Sequence, residues 1–427
     1  MNTPQNKNPW YWIPTLNFAS GLPYAIIVTV SVIMYKNLGV NNEDIGLYTS
    51  FLYLPWVIKP LWSPFIDLYS TKRNWFLAMQ LVIAIAFIFV GFTIPANNFF
   101  FLTLAFFWMA AFASASNDVA TDGFYMLALT KEKQALFLGI RSTFYRLAML
   151  TGNGLIVILG GYLEIKYGDK TKAWSHTMVL IGTLMALITI YNFFTTPKAE
   201  TTDEYLAAEK TEKPSFGKVF STFFQKKQIG LILAFILIFR LGEAQLLKML
   251  NPFLMDPLEK GGLGLSTESI GLIYGTFGII ALVIGGILGG IAISKNGLKK
   301  WMLPMVLAMR IPILGFVLLA HFQPQSHLFI YLTVILEQFG YGFGFAAFMM
   351  YLIYVAEGEF KTSHYSLATG FMALGMMLPG MISGYIQEYL GYENFFIWIV
   401  ISTIPGLILS QYLTYPTEFG KKEIKEN

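Results

Sequence analysis

The sequence predicts an all-α membrane protein of twelve transmembrane helices arranged as two six-helix halves. Three observations lead there. The 427 residues are 55% hydrophobic and only 13% charged, with a mean hydropathy of +0.57, whereas soluble domains carry about 25% charged residues. Twelve apolar stretches follow one another, at roughly 10–35, 44–66, 75–94, 99–129, 134–162, 174–194, 228–255, 268–293, 301–320, 327–355, 363–388 and 394–415. Each is long enough, at ~1.5 Å per helical residue, to cross a hydrocarbon core of ~30 Å. The two halves also repeat. Asp44-Ile-Gly-Leu-Tyr48 recurs as Ser269-Ile-Gly-Leu-Ile273, and the basic turn Asp67–Arg73 as Ser294–Lys300, at an offset of about 225. Parallel repeats of this kind mark two halves that rock about a central site.

Other classes are excluded on the same page. The net charge of +4 is mild and gives no case for nucleic acid. There is no P-loop, no G-x-G-x-x-G ahead of a βαβ unit and no His/Cys cluster, so neither ATPase, dehydrogenase nor metal site is expected. No nucleophile–base pair stands out, so no catalytic residue is assigned. The chain has no cysteine, hence no disulfide or thiolate ligand.

In chain order, the N-terminus MNTPQNKNPWYW lacks a short apolar core with a small-residue cleavage site, and the first apolar stretch is expected to be a span. It carries Asn17, Ser20 and the break Gly21-Leu-Pro23, which frees backbone carbonyls tolerated only against protein or water; a simple kink is the competing reading. The second stretch carries Lys59 beside Pro60 and Pro64, suited to gating or a packing pair. The fourth holds Asp118 and Asp122, spaced i, i+4 on one helical face. A carboxylate in mid-bilayer is penalised by ~3 kcal/mol on insertion scales. Two so close do not both ionise easily, which makes the pair a candidate proton carrier. The alternative is two acids neutralised by buried arginines for assembly alone. The fifth stretch carries Arg141, near enough to its end to snorkel, and Arg146, deeper, placed to pair with either aspartate or to hold an anionic substrate group.

Residues 195–227 read as a polar linker with an amphipathic helix around Phe216–Phe224 lying on the membrane. This divides the chain into an N-terminal half (1–194), the linker, a C-terminal half (228–415) and a solvated tail (416–427). The second-half counterpart of the acid segment, Gly342–Met350, is apolar. Acid chemistry there is left to Glu243, at i, i+3 from Arg240, and to Glu337. The glycines of 284–290 are expected to let helices approach closely. Lys and Arg number eighteen on the terminal side of the spans and five on the other, so both termini are expected in the cytoplasm.

Asn17–Pro23, Ile45–Tyr48, Lys59–Pro64 with Asp67, Asn117-Asp-Val-Ala-Thr-Asp122, Tyr145–Leu150, Arg240-Leu-Gly-Glu-Ala244, Leu336–Gly340 and Ile404–Leu409 together resemble the AmpG-type muropeptide permeases of the major facilitator superfamily. The likeness runs from about residue 16 to 410. It implies the major facilitator fold and proton-coupled import, across the inner membrane, of anhydro-muropeptides: GlcNAc–1,6-anhydro-MurNAc with or without a stem peptide. By position, Asp118 and Asp122 stand where that family keeps its paired acids, and Lys59, Arg146 and Glu337 also match. Asn117 replaces the usual Gln, while Arg240 and Glu243 replace a frequent Lys and Asp. The turn Asp67–Arg73 resembles that superfamily's cytoplasmic gate turn without its glycines.

The resulting expectation is a monomeric symporter in the bilayer, with no cofactor and the proton gradient as its energy source. Asp118, Asp122, Glu243 and Glu337 are assigned to proton coupling. Arg146, Arg240, Asn17, Asn117 and Tyr125 are assigned to the sugar–peptide substrate, and Lys59, Asp67, Arg73 and Arg141 to gating. The rivals are a symporter of another amino-sugar conjugate or oligosaccharide, and a membrane sensor without flux.

Overall fold

The computed structural model describes residues 7–68, 70–129, 131–199, 216–324, 326–358 and 360–421. Residues 200–215 of the expected linker, 422–427 of the tail and the side chain of Asp67 lie outside the described residues.

The described residues are helical nearly throughout. In chain order the helices are α1 Ile13–Ala25, α2 Ser31–Asn37, α3 Asn42–Phe51, α4 Leu54–Leu68, α5 Lys72–Thr93, α6 Phe99–Ala128, α7 Lys131–Leu150, α8 Val157–Tyr167 and α9 Lys170–Thr195. They continue with α10 Phe216–Phe224, α11 Ile229–Phe239, α12 Leu241–Met255, α13 Thr267–Leu272, α14 Ile279–Asn296, α15 Leu298–Arg310, α16 Ile313–Phe322, α17 His327–Ala356 and α18 Lys361–Tyr412. Single π turns join α1 to α2, α7 to α8 and α13 to α14, so these pairs run on as long rods.

Among the described residues ten helical stretches are long and apolar enough to cross a membrane. They number fewer than the twelve expected spans for two reasons. The second expected span is split at Leu52–Tyr53, because Pro55 has no N–H to carry α3 forward and instead suits the first turn of α4. The last two expected spans are two helices that meet at Gly391, where the backbone is non-helical with φ 71° and ψ 165°; the label α18 covers both. Only glycine adopts that backbone readily.

The chain divides into two compact units, residues 1–39 with 58–213 and residues 40–57 with 214–427. In the first, α5 packs on α6 and α9, and α1 on α7. Its core includes Trp12, Leu16, Phe76 and Phe124, all at most 1% exposed. In the second, α14 packs on α17, and α18 receives α3, α11 and α12. Phe239 stacks on Phe348 at its centre, ring centroids 4.7 Å apart. Large apolar side chains such as Phe92, Phe101, Leu155 and Ile165 point outward from the helices, as a lipid-facing surface requires.

Close helix contact rests on glycine. A Cβ at Gly21 would lie 2.6 Å from the Tyr145 carbonyl, and one at Gly342 only 2.0 Å from that of Leu282. The expected close approach holds at Gly285 and Gly289, where a Cβ would meet the carbonyls of Phe339 and Phe343 at 2.2 and 2.7 Å, but not at Gly290, which has open space. Gly342→Ala is therefore expected to force α14 and α17 apart and to destabilise the fold by about 1–3 kcal/mol. Gly230→Ala, with nothing within 4 Å, should leave thermal stability unchanged or slightly raised. Melting curves of both variants in detergent check this.

The helix α10 was expected to lie on the membrane. One side of it packs on the second unit, while Phe224 stays 43% exposed. Phe223 is fully buried and stacks on Phe371, and Thr222 Oγ1 lies 3.2 Å from His364 Nε2.

Candidate functional site

The acid segment sits in α6, a helix of 30 residues and hence ~45 Å long, longer than the hydrocarbon core. Asp122 lies ~9 Å from its C-terminal end and Asp118 a further turn in, so the pair is nearer one membrane edge than the apolar run suggests. Asp122 forms an ion pair with Arg141 of α7, with the carboxylate side chain 60% exposed and the guanidinium 19%. Arg141 Nε also donates to Asn17 Oδ1 at 3.1 Å. Its guanidinium lies 4.2 Å from the centroid of the Tyr125 ring, a cation–π distance. Asn17 is fixed in turn by its Nδ2 donating to the Ile13 carbonyl at 2.7 Å. Asp118 is half-buried, and the Tyr145 hydroxyl lies within electrostatic reach of both carboxylates and of Tyr24.

Four residues assigned to three different roles thus meet at one arginine: Asp122, Asn17, Tyr125 and Arg141 itself. The cation beside Asp122 is Arg141, with Arg146 elsewhere. Arg146 is exposed and has no hydrogen-bond or ion-pair partner among the described residues, so of its two candidate roles the pairing with the aspartates is not the one the structure holds. One turn of sequence register decides this, because only Arg141 shares the level of Asp122 on the facing helix.

Asn117 is not presented to a ligand either. It is 0% exposed. Its Nδ2 donates to Ser20 Oγ at 3.0 Å and its Oδ1 accepts from Gln80 Nε2 at 3.1 Å. Gln80 Oε1 accepts from Asn192 Nδ2 at 3.0 Å, and Thr15 Oγ1 donates to Asn192 Oδ1 at 2.6 Å. This chain of amides ties α1, α5, α6 and α9 together and braces the acid-bearing helix. Gln80 and Asn192 were missed from sequence. The signal was there, since both are polar residues inside apolar stretches.

Of the residues assigned to gating, Arg73 is buried at the end of α9. It donates from Nε to Thr196 Oγ1 at 3.0 Å and from Nη2 to the Phe193 carbonyl at 2.5 Å. Lys7 bonds the neighbouring carbonyl of Phe194. Both cations thereby satisfy backbone acceptors left open at a helix C-terminus. Lys59 is half-buried and has no partner among the described residues.

The second unit holds a separate charged cluster. Arg240 pairs with Glu243, donates to the Tyr341 hydroxyl at 2.8 Å and lies 5.0 Å from the Phe345 ring. Arg310 donates to the carbonyl of Phe239, the last residue of α11, and lies 4.8 Å from its ring. It thus secures the backbone break between α11 and α12. Glu337 accepts from Gln338 Nε2 at 2.8 Å and lies within electrostatic reach of Glu243. Two guanidiniums and two carboxyl groups, all 7% exposed or less, form a nearly dry group. Arg310, which carries no assigned role in the sequence reading, is an integral member.

A sequence profile of the Major Facilitator Superfamily matches residues 15–356 and 244–427. The chain belongs to the Major Facilitator Superfamily. Among curated relatives, it is similar to the anhydromuropeptide permease of Escherichia coli (strain K12), with 27% identity over 92% of this chain and 77% of the permease. Among solved structures, it is similar to a D-xylose–proton symporter, with a TM-score of 0.74 at 10% identity, covering 96% of this chain and 98% of that one. It is also similar to a bacterial homologue of the human lysosomal transporter Spinster, with a TM-score of 0.66 at 16% identity, covering 93% and 95%. At these identities the solved structures establish the facilitator fold alone. The chain is accordingly a multi-pass membrane transporter and not an enzyme.

Proposed function

We propose that this facilitator imports anhydro-muropeptides, GlcNAc–1,6-anhydro-MurNAc with or without a stem peptide, by proton symport. It would act as a monomer across the inner membrane, with both termini in the cytoplasm and the proton gradient as its energy source. The observation that carries the reading is the cluster in which Arg141 gathers Asp122, Asn17 and Tyr125, with Asp118 one turn away. It sets the exposed carboxylate of Asp122 beside a guanidinium that stays charged and pairs with its ionised form. The similarity to the E. coli permease supports the cargo class. Within the reading, Asp118 and Asp122 carry the proton, and the exposed Arg146 meets an anionic group of the cargo. Glu243, Glu337 and Arg240, being engaged with one another, support that cycle from the second unit, and Lys59 and Arg73 act in gating.

Purified protein in liposomes, given radiolabelled anhydro-muropeptide, is expected to accumulate it several-fold only when the outside is acidic. Accumulation unaffected by collapsing the gradient would remove the proton. Displacement of bound cargo by other amino-sugar conjugates in preference to muropeptide would reassign the substrate. Saturable binding without accumulation would instead make the protein a sensor.

A further inference from the structure

The helix α12 carries more on its buried face than the Arg240 cluster. Lys248 and Asn251 follow Arg240 and Ala244 at spacings that keep all four on one side. Lys248 is 3% exposed and Asn251 1%. Lys248 Nζ donates one hydrogen bond, 3.0 Å to Thr49 Oγ1 of α3, and lies 5.1 Å from the centroid of the Tyr53 ring. Thr49 gives its own proton to the Ile45 carbonyl at 2.6 Å, so it can only accept from the lysine. An ammonium has three donors. Two are left over, and among the described residues no carboxylate pairs with this cation.

Its surroundings hold orphaned polar groups too. Among the described residues, neither amide atom of Asn251 has a partner, and the buried Ser50 hydroxyl has none. A Cβ at Gly380 of α18 would meet both Ser50 Oγ, at 2.5 Å, and Lys248 Cγ, at 3.3 Å. The glycine therefore leaves the space in which the two side chains converge. Burial of a charge without a counter-ion costs several kcal/mol, and each orphaned polar group about 1–3 kcal/mol. A cationic cluster with unmatched donors and no carboxylate among the described residues is completed by an anion.

The covering element is built to part. The helix α3 is ten residues long, with Gly39 at φ 88° before it and the Leu52–Tyr53 break after it. Its seam with α12 and α18 is polar. Asn42 Nδ2 donates to Gln387 Oε1 at 2.6 Å, and Gly46 lies against Gly384. Hydrogen bonds of this kind exchange for bonds to water at a net cost of only about 1 kcal/mol each.

We propose that Lys248, Asn251 and Ser50 form a carboxylate-binding subsite for the cargo, entered when α3 parts from α12 and α18. The assignment to cargo rests on the muropeptide reading above, because a lactyl or peptide stem supplies the carboxylate.

The chain has no cysteine, so Asn251→Cys introduces a single thiol beside an intact Lys248. In the full-length protein in lipid nanodiscs, an anionic methanethiosulfonate is expected to label that thiol at least tenfold faster than its cationic counterpart. Lys248→Met in the same background should abolish the preference, and Lys248→Arg should keep it. Anhydro-muropeptide with free carboxylates should protect the thiol, and its methyl ester should not. Equal labelling rates, no labelling at all, or a preference that survives Lys248→Met would overturn the subsite. Protection by chloride or phosphate in place of cargo would overturn its assignment to cargo. If muropeptide is neither transported nor protective, the cargo reading falls, while the charge preference still decides whether the site takes an anion.

Discussion

Asp122→Asn is expected to lower gradient-driven accumulation of cargo at least tenfold while leaving the melting temperature close to that of the parent. The carboxylate side chain is 60% exposed, and exposed ion pairs contribute about 0–1 kcal/mol to stability. A tenfold loss of transport corresponds to about 1.4 kcal/mol, so it cannot be assigned to unfolding if the protein melts normally. Asn keeps the shape and a hydrogen bond to Arg141 but cannot exchange a proton. Exchange of labelled for unlabelled cargo across the membrane, which needs no net proton movement, should therefore survive. Asp118→Asn is expected to behave alike. Arg141→Met should impair exchange as well as accumulation, because it also releases Asn17 and Tyr125. Unchanged accumulation in both aspartate variants would remove the acid pair from the mechanism.

The fold was legible because lipid imposes one rule on every span. Backbone groups must be satisfied within the helix, so length and apolar run suffice to place it. The breaks were less legible. Pro55 marked one in the second span, but the prolines at 23, 252 and 304 lie inside helices that continue, so proline alone does not say which helix ends. At the site, residue type was readable and partnership was not. That an acid inside an apolar stretch needed a partner followed from its place in the sequence. Which of Arg141 and Arg146 supplied it depended on the rotation and height of α7 against α6, which periodicity leaves open. Asn117 and Gln80 show the same limit from the other side, since a polar residue in a span serves bracing as well as binding. Lys248 was visible as an intramembrane cation, but its missing counter-ion could be found only by seeing what surrounds it.

Glu243→Gln is expected to be the most destabilising single change in the second unit. It removes the carboxylate that pairs with Arg240 and leaves two guanidiniums, Arg240 and Arg310, in one buried cluster with only Glu337 to balance them. Breaking a buried pair from one side costs about 3–5 kcal/mol, whereas replacing both partners by apolar residues of similar volume is often neutral. Arg240→Met should be costly for the same reason, with Tyr341 losing its donor as well. The double replacement Arg240→Met with Glu243→Leu should then recover most of the loss, a non-additivity measurable by melting all four proteins in detergent. Losses that simply add would mean that the two charges do not depend on each other. Recovery of stability without recovery of uptake would separate the two roles. The pair would then brace the start of α12 against Tyr341 of α17 for stability, and its charges would be retained because the transport cycle separates them in another conformation.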